Sequence, residues 1–306
     1  MPQVAILLCT FNGARFLGPQ LSSFGDQTWR DWRLFASDDG SADETVAILS
    51  QQRRMLGSDR MQIRCGPRQG HFANFLGLAC DGSIRADYFA YSDQDDIWEP
   101  EKLTRAVAWL ESVPSHIPAV FGSRTRLIDA NGRAYGLSPL FRREPSFRNA
   151  LVQNIAGGNT MVFNAAAREH LMANPTKLSL PGHDWWTYLV TTAVGGEVRY
   201  EPTPLVRYRV HSQNMVGSNV GLLNYARRVH MVARGRFRGW IDLNVAALKP
   251  LRDRMTEENR NIFDLFCDMR KRSLIGRQIG FFKSGIYRQT TLGNLGLLVA
   301  AWANKI

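Results

Sequence analysis

Residues 87–96, DYFAYSDQDD, pass through an apolar stretch and then place three aspartates, Asp93, Asp95 and Asp96, within four positions. A short apolar run that stops at a polar turn is the pattern of a strand buried on both faces. Carboxylates this close repel one another, so the turn is either well solvated or a socket for a cation. An Asp-rich turn is also an ordinary way to leave a strand and cap the next helix. The aspartates alone leave both readings open, and the stretches around them decide the fold.

VAILLCT (4–10) is a second continuous apolar run, ending in TFNG (10–13), and Leu17, Leu21 and Phe24 follow at helical spacing. WRLFASDDGS (32–41) repeats the theme, strand into polar turn, before ADETVAILSQQ as a helix. In that turn the spacing of Ser41 and Glu44 predicts a capping box. MQIRCG (61–66) reads as a third strand, HFANFLGLACDGS as a helix and residues 87–93 as the fourth strand. Strands alternating with helices predict an α/β fold, a mostly parallel, doubly wound sheet covered on both faces. Ligands of such sheets bind at the carboxyl ends of the strands. TFNG, DDGS (38–41) and DQDD (93–96) all fall there.

Beyond Pro100 the chain reads as a helix (EKLTRAVAWLES), a strand (AVFGSRTRLID) and a Gly-rich turn into a strand (AGGNTMVFN, 156–164). A turn and helix (GHDWWTYLVTTA, 182–193) and a strand-like stretch (EVRYEPTPLVRYRVHSQN) follow. Residues 135–153 show no clear period and read as a surface excursion.

With 306 residues, 44% of them hydrophobic, the chain can bury a sizeable core. Its net charge of +11 is uneven: residues 1–216 hold 22 Lys and Arg against 21 Asp and Glu, whereas residues 217–306 hold 16 against 6. The expected division is therefore a near-neutral domain over 1–216 and a basic helical appendage over 217–306. Acidic strand-end loops repel polyanions, so no nucleic-acid partner is expected. Cys9, Cys65, Cys80 and Cys267 show no CxxC spacing, which argues against a zinc site or disulfide framework and for a reducing, cytoplasmic setting. MPQVAILLCTF is too short and uncharged at its start for a signal peptide. The longest apolar run of the tail, LGLLVAAWA (295–303), falls far short of the roughly 20 residues a membrane span needs.

LLCTFNG, SDDGSADET and YSDQDDIWEPEKL, in this order, resemble the family-2 inverting glycosyltransferases over roughly residues 1–216. The resemblance implies the GT-A fold and transfer of a sugar from a nucleotide donor. It is strongest to bacterial enzymes, rhamnosyltransferases among them, that assemble surface polysaccharides. It implies that Thr10, Asn12, Asp38 and Asp39 hold the nucleotide, with Asp93 near the donor ribose and sugar. Asp95 is implied to bind Mg²⁺ or Mn²⁺, and Asp96 to act as a supporting acceptor toward the donor sugar. GHDWW matches the place of the family's catalytic base, usually an acidic pair; His183 replaces the first member and leaves Asp184 as the base. Trp185 and Trp186 read as a sugar platform or as core, with His183 beside them. In YRVHSQN (208–214) Arg209 is implied to meet the leaving diphosphate, and His211 to meet the metal or a phosphate. Gly158 and Asn159 of GGNT would let backbone approach the sugars.

The implied donor is dTDP-rhamnose or a UDP-sugar, and the implied acceptor a lipid-linked glycan of O-antigen, capsule or exopolysaccharide synthesis on the inner face of the cytoplasmic membrane. VGLLNYARRVHMVARGRFRGW (220–240) fits that location. It sets apolar residues 222, 226, 229, 233, 237 and 240 on a stripe, with Arg227, Arg234 and Arg238 opposite. This is the pattern of a helix lying on an anionic membrane surface, and equally of a helix packed on the main body with a solvated basic face. TEENRNIFDLFCDMRKRS reads as another helix, and the final stretch repeats the basic-aromatic mixture.

Two other classes compete. A sugar-1-phosphate nucleotidyltransferase calls for a Gly-rich basic loop after the first strand, which TFNGARFL does not supply. A non-catalytic peripheral membrane protein leaves the strand-end carboxylates unexplained. The absence of GxGxxG after strand one disfavours NAD enzymes.

Overall fold

The computed structural model describes residues 1–172, 180–211 and 235–306. The apolar runs form the expected strands: β1 (Val4–Thr10), β2 (Trp32–Asp38), β3 (Met61–Cys65) and β4 (Tyr88–Ser92). These four pair in parallel in the order β3-β2-β1-β4, with helices α1 (Ala14–Gly25), α2 (Thr45–Leu56) and α3 (His71–Ala79) as crossovers. β1 shows why its run is apolar throughout. Ala5, Leu7 and Cys9 enter one hydrophobic cluster and Val4, Ile6 and Leu8 the other, so the period-two alternation buries both faces.

The second half of the sheet is mixed. β5 (Ile97–Trp98) precedes α4 (Lys102–Leu110), and β6 (Ala119–Ile128) turns back as the hairpin strand β7 (Ala134–Leu137). After α5 (Phe147–Ala150) come β8 (Val162–Asn164), α6 (Ala165–Met172), α7 (His183–Ala193) and the long β9 (Glu197–Arg209). The order continues β4-β8-β6-β9-β5, with β6-β9 parallel and β4-β8, β8-β6 and β9-β5 antiparallel. The first four strands are thus parallel throughout and the rest of the sheet is mixed, with helices flanking both sides. Because β5 pairs with the end of β9, the DQDD loop is pressed against Arg209, far away in sequence.

Residues 135–153 are only partly a surface excursion. Their first part is the exposed strand β7, but Phe147, Ala150, Leu151 and Val152 are core. The capping box also does not form: α2 begins at Thr45 with no side-chain cap from Ser41. Asp43 accepts from the Thr45 N–H instead, at 3.0 Å.

The C-terminal helices are α8 (Arg236–Leu248), α9 (Glu257–Met269), α10 (Leu274–Ser284) and α11 (Thr291–Trp302). Phe237, Ile241, Phe263, Phe266 and Leu297 join the same hydrophobic cluster as β1 and α7. Most of the basic amphipathic stripe at 220–240, including Arg227, Arg228 and Arg234, lies outside the described residues. Its described end does not face outward as a membrane stripe would. Phe237 is buried, and Arg238 donates to the Asn304 carbonyl at 2.8 Å.

Candidate active site

Three loops meet at the carboxyl end of the parallel strands. Asn12, in left-handed backbone at φ 48°, receives the β1 exit. Its N–H donates to Ser41 Oγ at 2.8 Å and its Oδ1 accepts from the Ala42 N–H at 2.8 Å. Thr10 donates to Asp38 Oδ1 at 2.8 Å. Asp38 also accepts from the Ser41 hydroxyl and from the Gly40 and Ser41 N–H groups. Four hydrogen bonds fill a carboxylate's capacity. Asp38 therefore builds the wall, whereas Asp39, accepting only from Arg68 N (2.6 Å) and Gly70 N (2.9 Å) among the described residues, keeps a lone pair on each oxygen.

The third loop is fastened by a residue that motif reading passed over. Gln94 accepts from Phe11 N at 2.8 Å and donates to Phe11 O at 3.0 Å, acting as a one-residue strand partner. Its amide lies over Gly13, where a Cβ would overlap it and push it off Phe11.

Behind these loops sits a charged core. Asp96 is fully buried and accepts from Asn159 Nδ2 at 2.5 Å and from Arg209 N at 3.0 Å. Lys102, also fully buried, donates to the Asn159 carbonyl at 2.8 Å, and its Nζ lies 3.1 Å from the centre of the Trp98 ring. Burial pushes the Asp96 carboxyl well up, helped by Asp95 and Asp93, and pushes the Lys102 ammonium well down against the pull of Asp96 and Asp93. Asp93 is raised to about 7, first by burial, then by Asp95 and Asp184, with Lys102 opposing. Lys102 was missed because a lysine in an amphipathic helix is normally read as solvated; its place just after DQDDIWEP was the only signal.

Asp184 lies in the first turn of α7, within electrostatic reach of Asp93. Burial raises its carboxyl above the ordinary range, opposed by backbone hydrogen bonds at Trp185 and Gly158 and by His71. The other residues of GHDWW do not present themselves to a sugar. His183 is buried and stacked on Phe75 at 3.9 Å, and burial lowers it to about 3. It packs so tightly on Gly158 that a Cβ there would overlap its ring. Trp185 and Trp186 are both core, 7% and 1% exposed, with the Trp185 indole N–H donated to Ala150 O at 2.7 Å. The platform reading of the two tryptophans is corrected accordingly: α7 is buried on nearly every side, so its aromatics have no open face.

Arg209 is tied to backbone carbonyls. It is 3% exposed, and its guanidinium donates to the carbonyls of Asp95 (2.9 Å), Asp129 and Ala130 (both 3.2 Å). It staples the DQDD loop to the β6–β7 turn. His211 is the group that reaches the front: its Nε2 lies 2.7 Å from Asp95 Oδ2, and its ring leans on Phe16. Among the described residues no group of three or more His, Cys, Asp or Glu side chains could hold a metal ion. The chain offers the Asp95–His211 pair. An oxygen–nitrogen pair of this kind fits a divalent ion whose other positions are taken by water and substrate phosphates, and not a structural metal caged by protein.

Residues 5–171 match the family model described as glycosyl transferase family 2, more than half of the chain. The chain belongs to that family. Among relatives of this family-2 chain, an uncharacterized glycosyltransferase of Haemophilus influenzae is 27% identical over 222 residues, covering 69% of the chain but just under two thirds (66%) of the relative. The dTDP-rhamnosyl transferase RfbG of Shigella flexneri is 25% identical over 255 residues, covering 76% and 81%. The fold is shared with S. aureus TarS 1–349, solved with UDP-GlcNAc, at TM-score 0.60, 14% identity and coverage of 99% and 88%. It is also shared with the mannosyltransferase PcManGT of Pyrobaculum calidifontis, solved with GDP-Man and Mn²⁺, at TM-score 0.55, 16% identity and coverage of 99% and 87%. The GT-A-type α/β architecture expected from the motifs is the one found.

Proposed function

We propose that this family-2 chain is a divalent-cation-dependent, inverting glycosyltransferase that moves a sugar from a nucleotide-sugar donor to a hydroxyl of a lipid-linked glycan. One observation carries the reading. Four carboxylates from two separate elements, Asp93, Asp95 and Asp96 after β4 and Asp184 at the start of α7, converge at the carboxyl end of the sheet, where Asp184 helps to raise Asp93.

The roles follow from their surroundings. Asp39, Thr10 and Asn12 line the wall that would meet the nucleotide. Asp95 and His211 would hold Mg²⁺ or Mn²⁺, which when bound offsets the charge of the leaving diphosphate. Asp184 is the base that takes the proton of the attacking acceptor hydroxyl; a carboxyl raised by burial is better matched to that task than an ordinary one. One direct displacement with a single base inverts the anomeric centre. Asp96 and Lys102 hold the loop from behind, Arg209 fixes its backbone, and Asn159 joins Asp96 to Lys102. RfbG and TarS support dTDP-rhamnose or a UDP-sugar as donor, and PcManGT supports the cation. In this reading residues 1–216 carry the chemistry, and residues 217–306 keep the protein at the inner face of the cytoplasmic membrane, on it and not through it. No helix among the described residues is long and apolar enough to cross.

The test is donor turnover. The protein is incubated with a panel of nucleotide sugars and Mn²⁺ or Mg²⁺, and nucleoside diphosphate release is followed. Release that chelator abolishes, and that Asp95→Ala loses together with cation-linked donor uptake, is the expected result. Release of pyrophosphate from a nucleoside triphosphate and a sugar phosphate would move the assignment to nucleotidyl transfer. Failure to take up any activated sugar would end the proposal.

A further inference from the structure

The C-terminal hairpin carries an apolar surface that the core does not use. Ile275, Ile279 and Phe282 on α10, and Leu295, Val299 and Trp302 on α11, are each more than half exposed. Their spacings, 275/279/282 and 295/299/302, place each set on one helical face. The opposite faces supply Phe281, Leu297 and Ala301 to the core. Arg277 joins the helices, donating to the carbonyls of Ala301 (3.1 Å) and Trp302 (3.2 Å). Apolar side chains displayed on this scale mark a contact surface.

The charge around this surface says what it contacts. From Met269 to Ile306 the chain holds seven Lys and Arg and no Asp or Glu; Arg270 and Arg272 are paired with Asp242 and Asp268, and Arg277 is buried. Lys271 and Lys283, both exposed, stand beyond the two ends of the α10 face. A second copy of the chain would set one cationic rim against another, and an acidic protein groove would gain little from six bare apolar side chains spread over two helices. An anionic bilayer satisfies both features at once: headgroups meet the cations, and the boundary with the acyl chains takes the apolar faces. Trp302 is of the residue type that settles at headgroup depth.

The hairpin is also firmly tied to the site. Its connector is held by Arg148 Nη1 on Ser284 O (2.7 Å), Asn149 Nδ2 on Tyr287 O (2.9 Å) and Gln289 Nε2 on Arg143 O (3.0 Å). α5, which supplies Arg148 and Asn149, is in turn bonded to α7 through Tyr188 OH on Asn149 Oδ1 (3.0 Å) and the Trp185 indole on Ala150 O. We infer that α10 and α11 form an interfacial membrane-binding hairpin that seats its apolar faces in an anionic bilayer and thereby holds the Asp184 helix at the lipid surface. The docking stands independently of sugar transfer; its use in presenting a lipid-linked acceptor rests on the proposed function.

The test is flotation of the full chain with vesicles of phosphatidylglycerol and phosphatidylethanolamine, against vesicles of phosphatidylcholine. Wild type should float with the anionic vesicles, and lipids brominated along the acyl chain should quench a component of its emission that Trp302→Phe lacks. The combined variant Ile279→Ser, Phe282→Ser, Val299→Ser and Trp302→Ser changes only exposed positions and should bind at least about tenfold more weakly. Lys271→Ser and Lys283→Ser should each cost about fivefold at low salt. Equal flotation of the four-serine variant and wild type would overturn the inference. So would a concentration-dependent dimer that this variant abolishes in a chain that never floats. Donor turnover without acceptor is measured in parallel: a chain that docks but turns over no donor would sink the transfer reading and leave the docking intact.

Discussion

Replacing Lys102 with Met separates charge from packing at the back of the site. The stem is kept, while the ammonium leaves a fully buried position between the Asn159 carbonyl and the Trp98 ring. Asp96, itself fully buried, then faces no cation there, and the Asn159 carbonyl loses its donor. If Lys102 and Asp96, which are joined through Asn159, are both charged, removing one of them costs about 3–5 kcal/mol, because the charge left behind cannot rehydrate. The lost cation–π contact is part of the same sum and is not added to it. The assay is urea unfolding at neutral pH without divalent ions, comparing Lys102→Met, Asp96→Asn and the double variant. If the pair is ionic, the double variant should be more stable than Lys102→Met alone by about 1–3 kcal/mol, since removing both charges leaves none stranded. A cost near 1 kcal/mol for Lys102→Met, as for one neutral hydrogen bond, with no rescue in the double variant, would refute the argument. It would mean that both groups are neutral in the folded protein.

Two further outcomes are expected. Asp184→Asn should keep donor affinity and lose transfer by about 10²–10⁴-fold, the usual range for one general base; single-turnover transfer to an acceptor extract checks it, and full transfer would remove Asp184 from that role. His183 gives a pH signature with a definite sign. Its folded value is lowered to about 3 from 6.5, so the unfolded chain binds the extra proton between those values and stability falls as pH drops below 6.5. Relative to His183→Phe, wild type should lose about 2 kcal/mol between pH 7 and 5. Asp93, raised to about 7, acts oppositely over much of that window, so the comparison of variants and not the raw wild-type curve is the readout. Parallel curves would show that His183 is not buried neutral.

What could be read beforehand divides along physical lines. β1, β2 and β4 were legible because a strand covered on both faces must be apolar throughout, and nothing distant changes that. The convergence of TFNG, DDGS and DQDD followed from parallel pairing alone, and the bonds from Asn12 to Ser41 and from Phe11 to Gln94 realise it. The segment 143–153 was opaque because its partners, Ser284, Tyr287 and Gln289, lie far along the chain and carry no local period. The tryptophans of α7 were ambiguous for a related reason: a helix buried nearly all round has no polar face to reveal which aromatics are core.

Arg209 is the most instructive case. Its motif position supplied a guanidinium close to the site and therefore a plausible diphosphate contact. Which acceptors a guanidinium meets depends, however, on carbonyls that other elements bring to it, and here Asp95, Asp129 and Ala130 take it. Five donors fixed in one plane suit a cluster of backbone oxygens as well as a phosphate. The Asp129 and Ala130 carbonyls lie in the β6–β7 turn, which no feature of YRVHSQN could announce. His211, two residues on and past the end of β9, escapes that turn and reaches Asp95. Where β9 stops pairing thus decides which of the two side chains is tied to the β6–β7 carbonyls and which meets the Asp95 carboxylate.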